Sequence, residues 1–408
     1  MTDDIHEKLP ADNPLQGVRV LEIAQYIAGP MAGQQLADFG AEVIKIERPG
    51  GGDPFRTYAG GRNILNYGFN FRAWNRNKKS LVLDLGAPDA QQIVHRIARD
   101  VDVVLENFRP GVMDRLGIGY EALKAMNPGI IYCAISGFSA DGPYRSRPAF
   151  DTVGQALSGM LYLFSDPDNP RLRGPTVADQ VTALQASNAI LAMLRAKERT
   201  GQGGRIDLTM VDAAASFMPD VYAGHTDAQI VTTSSSRAAM SQAFIARCSD
   251  DRLIAVQLGG LDKAFVSLSE ELGGCDLADN PLFDTRQNRT TNWDQLVEVI
   301  RPQFVSHPAS HWLQRLLERG IPCSEVLTIS EIFECPEVVH SGIFENVEHP
   351  VAGPMTMMKR PAKINSSRGS ANGFPPLLGE HSASVLQDCG YSDDEIENMK
   401  SSGLVIQA

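Results

Sequence analysis

Asp179 and three arginines, Arg48, Arg109 and Arg115, are the residues of this chain best placed to do chemistry. Asp179 is the lone acid at the head of the run Gly174-Pro-Thr-Val-Ala-Asp-Gln-Val-Thr-Ala-Leu-Gln-Ala-Ser-Asn-Ala-Ile-Leu-Ala-Met-Leu194. One reading is a helix cap, an aspartate that accepts backbone N–H bonds. The other is a carboxylate nucleophile, which divides a difficult transfer into two easier covalent steps. A helix N-terminus favours the charged form, so Asp179 is expected to be ionised with a lowered pKa. Asp151, ahead of Thr152-Val-Gly-Gln-Ala, is the rival acid and reads as the N-cap of its own helix. A single Arg is usually a solvated surface charge. Three on neighbouring loops of an acidic protein argue for an anionic ligand, because the guanidinium fork matches phosphate and carboxylate.

The elements that carry these residues follow from apolar patterning. In the long run, Val181, Leu184, Leu191 and Leu194, with Ser187 between them, recur at helical spacing and predict a helix over 179–200 with one buried face. Pro175 and Asp179 mark its start. Val18–Ile23 and Gly40–Glu47 read as strands with a helix between them, a βαβ unit that implies a parallel sheet. Ser80–Asp84, Val101–Leu105 and Ile130–Ser136 add strands, separated by helices at about 88–99 and 119–126. The fold class is α/β, a Rossmann-like doubly wound parallel sheet, in which ligands bind outside the carboxyl ends of the strands. Arg48 follows the second strand, and Arg109 and Arg115 follow Val101–Leu105. Neither a G-x-G-x-x-G nor a P-loop occurs, so nicotinamide and nucleoside-triphosphate readings lose their main support.

Further along, one helix is expected over 151–164, and 204–212 reads as a strand leading into a helix. The Ser-rich stretch 225–241 reads as a linker. A smaller α+β domain follows, with a hairpin at 243–257 and helices at about 261–272, 292–306 and 308–319. A second linker at 340–370 leads to C-terminal helices near 380–389 and 392–401. The expected organisation is therefore 1–224 large domain, 225–241 linker, 242–339 inserted domain, 340–370 linker and 371–408 returning to the large domain.

Composition sets the limits. The 408 residues carry a net charge of −12, which argues against nucleic acid or an anionic membrane as partner. The N-terminus has no secretory pattern, and no apolar run approaches a membrane span. Six scattered cysteines (Cys133, Cys248, Cys275, Cys323, Cys335, Cys389) form no C-x-x-C pair. They suit reduced thiols in the cytoplasm, and no metal site is expected.

Several blocks, in order along almost the whole chain, resemble the class III coenzyme A transferases of formyl-CoA and carnitine-CoA transferase type. They are Ala28-Gly-Pro30, Leu36–Pro49, Asn77-Lys-Lys-Ser80 with Leu83-Asp84, Glu106-Asn-Phe-Arg-Pro-Gly111, Ile135–Phe138, Asp151 with Gln155-Ala and Ser158-Gly, His349-Pro350 and Leu378-Gly-Glu-His381. The resemblance implies a dimer of two interlocked ring-like subunits. It implies that Asp179 is the nucleophile and that Arg48, Leu83, Asn107, Phe108, Arg109 and Arg115 bind CoA. No cofactor is held permanently; coenzyme A and acyl-CoA are substrates, and a small carboxylic acid is the acceptor.

The chain departs from the best-known relative at Gly86, where that relative has Lys, and at Ser234–Met240, where it has a run of glycines shielding the intermediate. Two other functions compete: a 2-methylacyl-CoA racemase of the same fold and a non-catalytic CoA-binding protein. Racemases of the family carry a histidine just before the aspartate of the Gln-Ala block. Here that residue is Phe150, which cannot accept a proton, so CoA transfer is expected rather than epimerisation.

Overall fold

The computed structural model describes residues 13–58, 67–166, 168–260, 262–273, 277–369 and 373–407. The described residues fall into two compact units: those within 1–161, 174–219 and 339–408 form the larger, and those within 162–173 and 220–338 the smaller.

The larger unit is built on six parallel strands: β1 (Arg19–Ile23), β2 (Glu42–Glu47), β3 (Lys78–Leu83), β4 (Val103–Glu106), β5 (Ile131–Ser136) and β6 (Gly204–Thr209). Their order is β3-β2-β1-β4-β5-β6, and a short C-terminal strand, Val405–Ile406, runs antiparallel beside β3. The β1–β5 residues are almost all buried because helices cover both faces of the sheet, and their side chains are apolar apart from a set of charged and polar groups in β1–β3 and at the strand ends. The helices used below are α1 (Ala28–Asp38), α2 (Phe69–Trp74), α3 (Ala90–Ala98), α4 (Val112–Arg115), α5 (Tyr120–Met126), α6 (Asp151–Leu157), α7 (Met160–Phe164) and α8 (Val177–Thr200). One core layer packs Leu21, Ile44, Leu81 and Val104 against Ile93 and Ile97 of α3 and Leu123 of α5. The opposite layer packs Val20, Val43 and Leu105 against Leu36 of α1 and Ala183, Ala186 and Ile190 of α8.

Helix α8 differs from expectation in its details. It begins at Val177, its cap position is Thr176, and Asp179 is its third residue. Its buried face is made of Ala178, Val181, Thr182, Ala183, Ala186, Ser187, Ile190 and Leu194. Leu184 points out. Small side chains on that face let α8 lie close to the sheet and to α1, so the buried face is wider than the leucine spacing suggests. Gly201, in the left-handed region at φ 69°, stops the helix and donates its N–H to the carbonyl of Lys197.

The smaller unit has its own core around Phe244, Ile254, Phe265, Leu296, Phe304 and Trp312. The Ala243–Arg247 and Leu253–Gln257 hairpin forms as expected, with Cys323–Glu325 pairing along it as a third strand.

One helix is divided differently from expectation, and both stretches read as linkers carry regular structure. The single helix over 151–164 is two, α6 and α7, separated at Gly159, which sits at φ 77°. The stretch 225–241 is largely helical, with helices at Pro219–Ala228 and Ser236–Ser241, since serines and threonines also begin helices. The stretch 340–370 contains a hairpin, Phe344–His349 with Gly353–Met358, turned at Gly353 with φ 74°. Cys275 lies outside the described residues. Among the described residues no helix is long and apolar enough to cross a membrane.

Candidate active site

All six strands are parallel, so their carboxyl ends share one edge of the sheet. The chain reverses direction between β1 and β4, and the first crevice of a doubly wound sheet lies there. Asn107, just past β4, closes that crevice. Its Oδ1 accepts the Gln25 N–H at 2.9 Å and its Nδ2 donates to the Gln25 carbonyl at 2.7 Å. The side chain thus extends the β1–β4 ladder by one false residue, with its oxygen and one of its two amide N–H groups engaged on Gln25.

Phe108 is half-buried, and its backbone N–H donates to the Glu106 carboxylate at 2.7 Å. Arg109 and Arg115 are exposed. Gly111, at φ 81°, supplies the left-handed residue that turns the loop into α4. Arg48 is exposed and its Nε donates to the carbonyl of Gly52 at 3.2 Å. Leu83 is placed differently from the rest: its side chain is fully buried among the core residues beneath α3, leaving only its backbone near the strand-end edge.

The Arg48 loop is fastened from below by a buried set of charges. Glu47 receives Arg56 through two bonds of 2.7 Å each and the Ser80 hydroxyl at 2.6 Å. Lys45 faces Glu22 at 2.9 Å and Asp53 at 3.0 Å, and Lys78 faces Glu22 at 2.8 Å. Glu22 Oε2 and Asp53 Oδ2 meet these ammonium groups off the hydrogen-bond direction, so they are ion-paired without being hydrogen-bonded. Burial alone would raise the pKa of Glu22, but Lys45 and Lys78 bring it below the usual carboxylate range. Lys45 is raised despite its burial, by Glu22 and Asp53, while burial pulls Lys78 down to about 8. The charges of Glu22 and Lys45 interrupt otherwise apolar strands. That interruption was a readable sign of an interior ion network, and the sequence reasoning passed over it.

Asp179 sits at the same edge, because α8 crosses back from the β5 end of the sheet to β6 and starts where the strands stop. It is half-buried. Its backbone N–H, one of the orphan donors of the first turn, is accepted by Asp151 Oδ1 at 3.2 Å. The other Asp151 oxygen receives the Gln155 amide at 2.7 Å. Asp151 therefore does not cap α6, where it is the first helical residue and Phe150 holds the cap position; it caps α8 from a distance. Fold geometry, not local sequence, assigns this role. Among the described residues no donor engages the Asp179 carboxylate. Burial, and then the charge of Asp151, push its pKa up to about 7. The lowering expected from the helix N-terminus is thus overturned: the first-turn dipole is outweighed by desolvation and a neighbouring like charge.

Phe150 is exposed and meets Tyr26 edge-on at 5.5 Å between centroids. Tyr26 itself holds φ 66°, an uncommon conformation for a bulky residue, with its N–H donated to Asp53 at 3.3 Å. Backbone strain of this kind has no signature in the sequence. His381 exchanges bonds with Ser80, through its Nδ1 at 3.3 Å and its backbone N–H at 3.0 Å, and so serves to hold the C-terminal segment on β3.

A carboxylate free of donors among the described residues, at the same strand-end edge that carries the arginines, can attack an electrophilic carbonyl carried by an anionic ligand. The family model described as CoA-transferase family III matches residues 15–382. The chain is 32% identical over 401 residues to human succinyl-CoA:glutarate CoA-transferase, covering 97% of this chain and 90% of that protein. It is 31% identical to succinyl-CoA–D-citramalate CoA-transferase of Chloroflexus aurantiacus, covering 96% and 98%. It is 33% identical to acetyl-CoA:oxalate CoA-transferase of Acetobacter aceti, covering 86% and 89%. The crystal structure of a CAIB/BAIF family protein from Brucella suis superposes with a TM-score of 0.81 at 29% identity, covering 93% of this chain and 100% of that one.

Proposed function

Since the chain belongs to CoA-transferase family III and is a CoA-transferase, we propose that it moves CoA between an acyl-CoA donor and a carboxylic acid through two covalent forms of Asp179. The Asp179 carboxylate attacks the donor thioester carbonyl; the C–S bond breaks and CoA leaves as thiolate, giving a mixed aspartyl anhydride. The thiolate attacks the aspartyl carbonyl, the donor acid leaves as carboxylate, and an aspartyl-CoA thioester remains. The acceptor carboxylate attacks that thioester, expelling the thiolate, which then takes the acyl group from the second anhydride. Asp179 returns as carboxylate. Each step exchanges one acyl bond for another, so protons and electrons balance without a further reactant.

The observation that carries this reading is the Asp179 carboxylate itself, unengaged by any donor among the described residues. Its raised pKa is consistent with the role. A carboxylate of higher pKa is the better nucleophile, and forming a neutral acyl derivative relieves both its burial and its repulsion from Asp151. CoA phosphates are assigned to Arg48, Arg109 and Arg115, and the backbone at Leu83, Asn107 and Phe108 to the rest of the cofactor-like body of CoA. The relatives' printed names make small dicarboxylates the first acids to test as donor and acceptor. We read the active form as a homodimer of interlocked subunits working in the cytoplasm, where its thiols stay reduced. Sedimentation at high dilution checks the dimer: a folded monomer contradicts it.

The experiment is a matrix of acyl-CoA donors against carboxylic acids, read by mass spectrometry for the wild type and Asp179→Ala. Transfer that is lost in the Ala variant supports the reading. Normal turnover in that variant contradicts it.

A further inference from the structure

We infer that Glu106 is the positioning residue of the CoA-binding loop, its buried carboxylate tethering the Asn107–Arg109 segment in the shape that receives CoA. The inference rests on the assignment of that loop to CoA. Two anchors hold the segment. Asn107 is clamped to Gln25 by the pair of side-chain bonds described above. The second anchor is the bond of 2.7 Å from the Phe108 N–H to Glu106 Oε2, which lies between the clamp and the exposed Arg109. Glu106 ends β4 and is buried, an unusual place for a carboxylate with no cation at contact distance among the described residues. Nothing in the covalent chemistry of Asp179 uses it.

The groups around Glu106 come from three elements. The Tyr132 hydroxyl of β5 and Arg205 of β6 favour its charged form, and Asp114 of α4 repels it. Arg205 is itself occupied by Asp207 at 2.9 Å. Burial is the dominant influence and brings Glu106 up to about 7, against the pull of the Phe108 N–H, Arg205 and Tyr132. The ionised carboxylate makes a charge-assisted bond to the Phe108 N–H, and the protonated acid makes a weaker one. The tether is therefore tight above neutrality and loosens as pH falls through about 7.

The direction of the effect separates tethering from simple electrostatics. A carboxylate near an anion site repels the anion, so a Glu106 with no tethering role would weaken CoA binding, and its removal would tighten it. As a tether it does the reverse.

The test is calorimetric binding of free CoA to the Asp179→Ala protein, so that Asp179 does not titrate, with Glu106 intact or changed by Glu106→Gln. Binding is followed from about pH 8 to about pH 6. At the upper end, Glu106→Gln is expected to bind CoA roughly 5-fold more weakly, the loss of about one charge-assisted contact. At the lower end the two proteins converge, and the titration of CoA's own phosphate is common to both. Tyr132→Phe, which keeps the carboxylate and removes a hydroxyl that favours its charged form, moves the midpoint to higher pH. Equal or tighter binding by Glu106→Gln at the upper end, with a pH profile parallel to the parent, overturns the inference. If Glu106→Gln does not fold, an unmoved midpoint in Tyr132→Phe overturns it instead. Arg109→Ala separates the premise from the inference: unchanged CoA affinity there removes the assignment of the loop to CoA, and the inference with it. Lost affinity there with no effect of Glu106→Gln refutes the tether alone.

Discussion

Replacing Asp151 by Asn isolates the electrostatic part of the Asp179 environment. The substitution keeps an oxygen to accept the Asp179 N–H, now made at 3.2 Å, and removes only the charge. Gln155 can turn its amide to meet the new side chain, so the cap on α8 persists. Asp179 is raised from 3.8 to about 7, with burial the larger cause and Asp151 the smaller. Less than half of that rise therefore belongs to Asp151. Two unit charges ~6 Å apart at an effective dielectric of ~20 interact by about 3 kcal/mol, and solvent on the open side of the half-buried pair reduces this. The acid limb of the reaction should move down by about one pH unit in Asp151→Asn, a gain of up to ~10-fold on the acid side of the wild-type limb. The assay is the single-turnover rate of loading CoA onto the enzyme from saturating acyl-CoA, by rapid quench over pH. The sign follows from the covalent route: Asp179 must be ionised to attack, so activity is present above its pKa and lost below it. Superimposable limbs for the two proteins, or a limb that moves up, would refute the reasoning.

The interior charges give two further expectations. Lys45→Met leaves Glu22 and Asp53 without their shared cation, and should cost about 3–5 kcal/mol of stability, seen as an earlier urea midpoint. Gly33→Ala would place its Cβ 2.0 Å from Glu22 Oε2, so α1 must lift from the sheet. A loss of about 1–3 kcal/mol is expected, with CoA transfer weakened because the crevice beside α1 widens. Thermal denaturation and turnover of the purified variant check both parts.

The strands of the larger unit were legible because a parallel sheet buried on both faces is written as continuous apolar runs, such as Val103–Glu106 and Ile131–Ser136. The two-residue strand Val405–Ile406 was not, since two residues carry no period. The hairpin at Phe344–Met358 was hidden by the prolines at its turn and in its second strand, which broke the alternation. In the site, the arginines and Asp179 could be chosen from residue type and position. The partnership of Asp151 with Asp179 could not, since it joins residues 28 positions apart through a backbone bond. The pKa direction failed for the same reason: the helix end was visible in the sequence, but the neighbour and the burial were not. Leu83 shows the reverse limit. Its motif position was read correctly as a strand end, yet the parity of the strand turns its side chain into the core.

The central claim is that Asp179 carries CoA covalently, and the most direct test is the mass of the enzyme after incubation with an acyl-CoA donor and no acceptor. The wild type should gain the mass of CoA less water, with the adduct located to the peptide containing Asp179 and removed by borohydride reduction. Asp179→Ala should fold and gain nothing. An adduct on any other residue, or transfer by the Ala variant at the wild-type rate, would contradict the account.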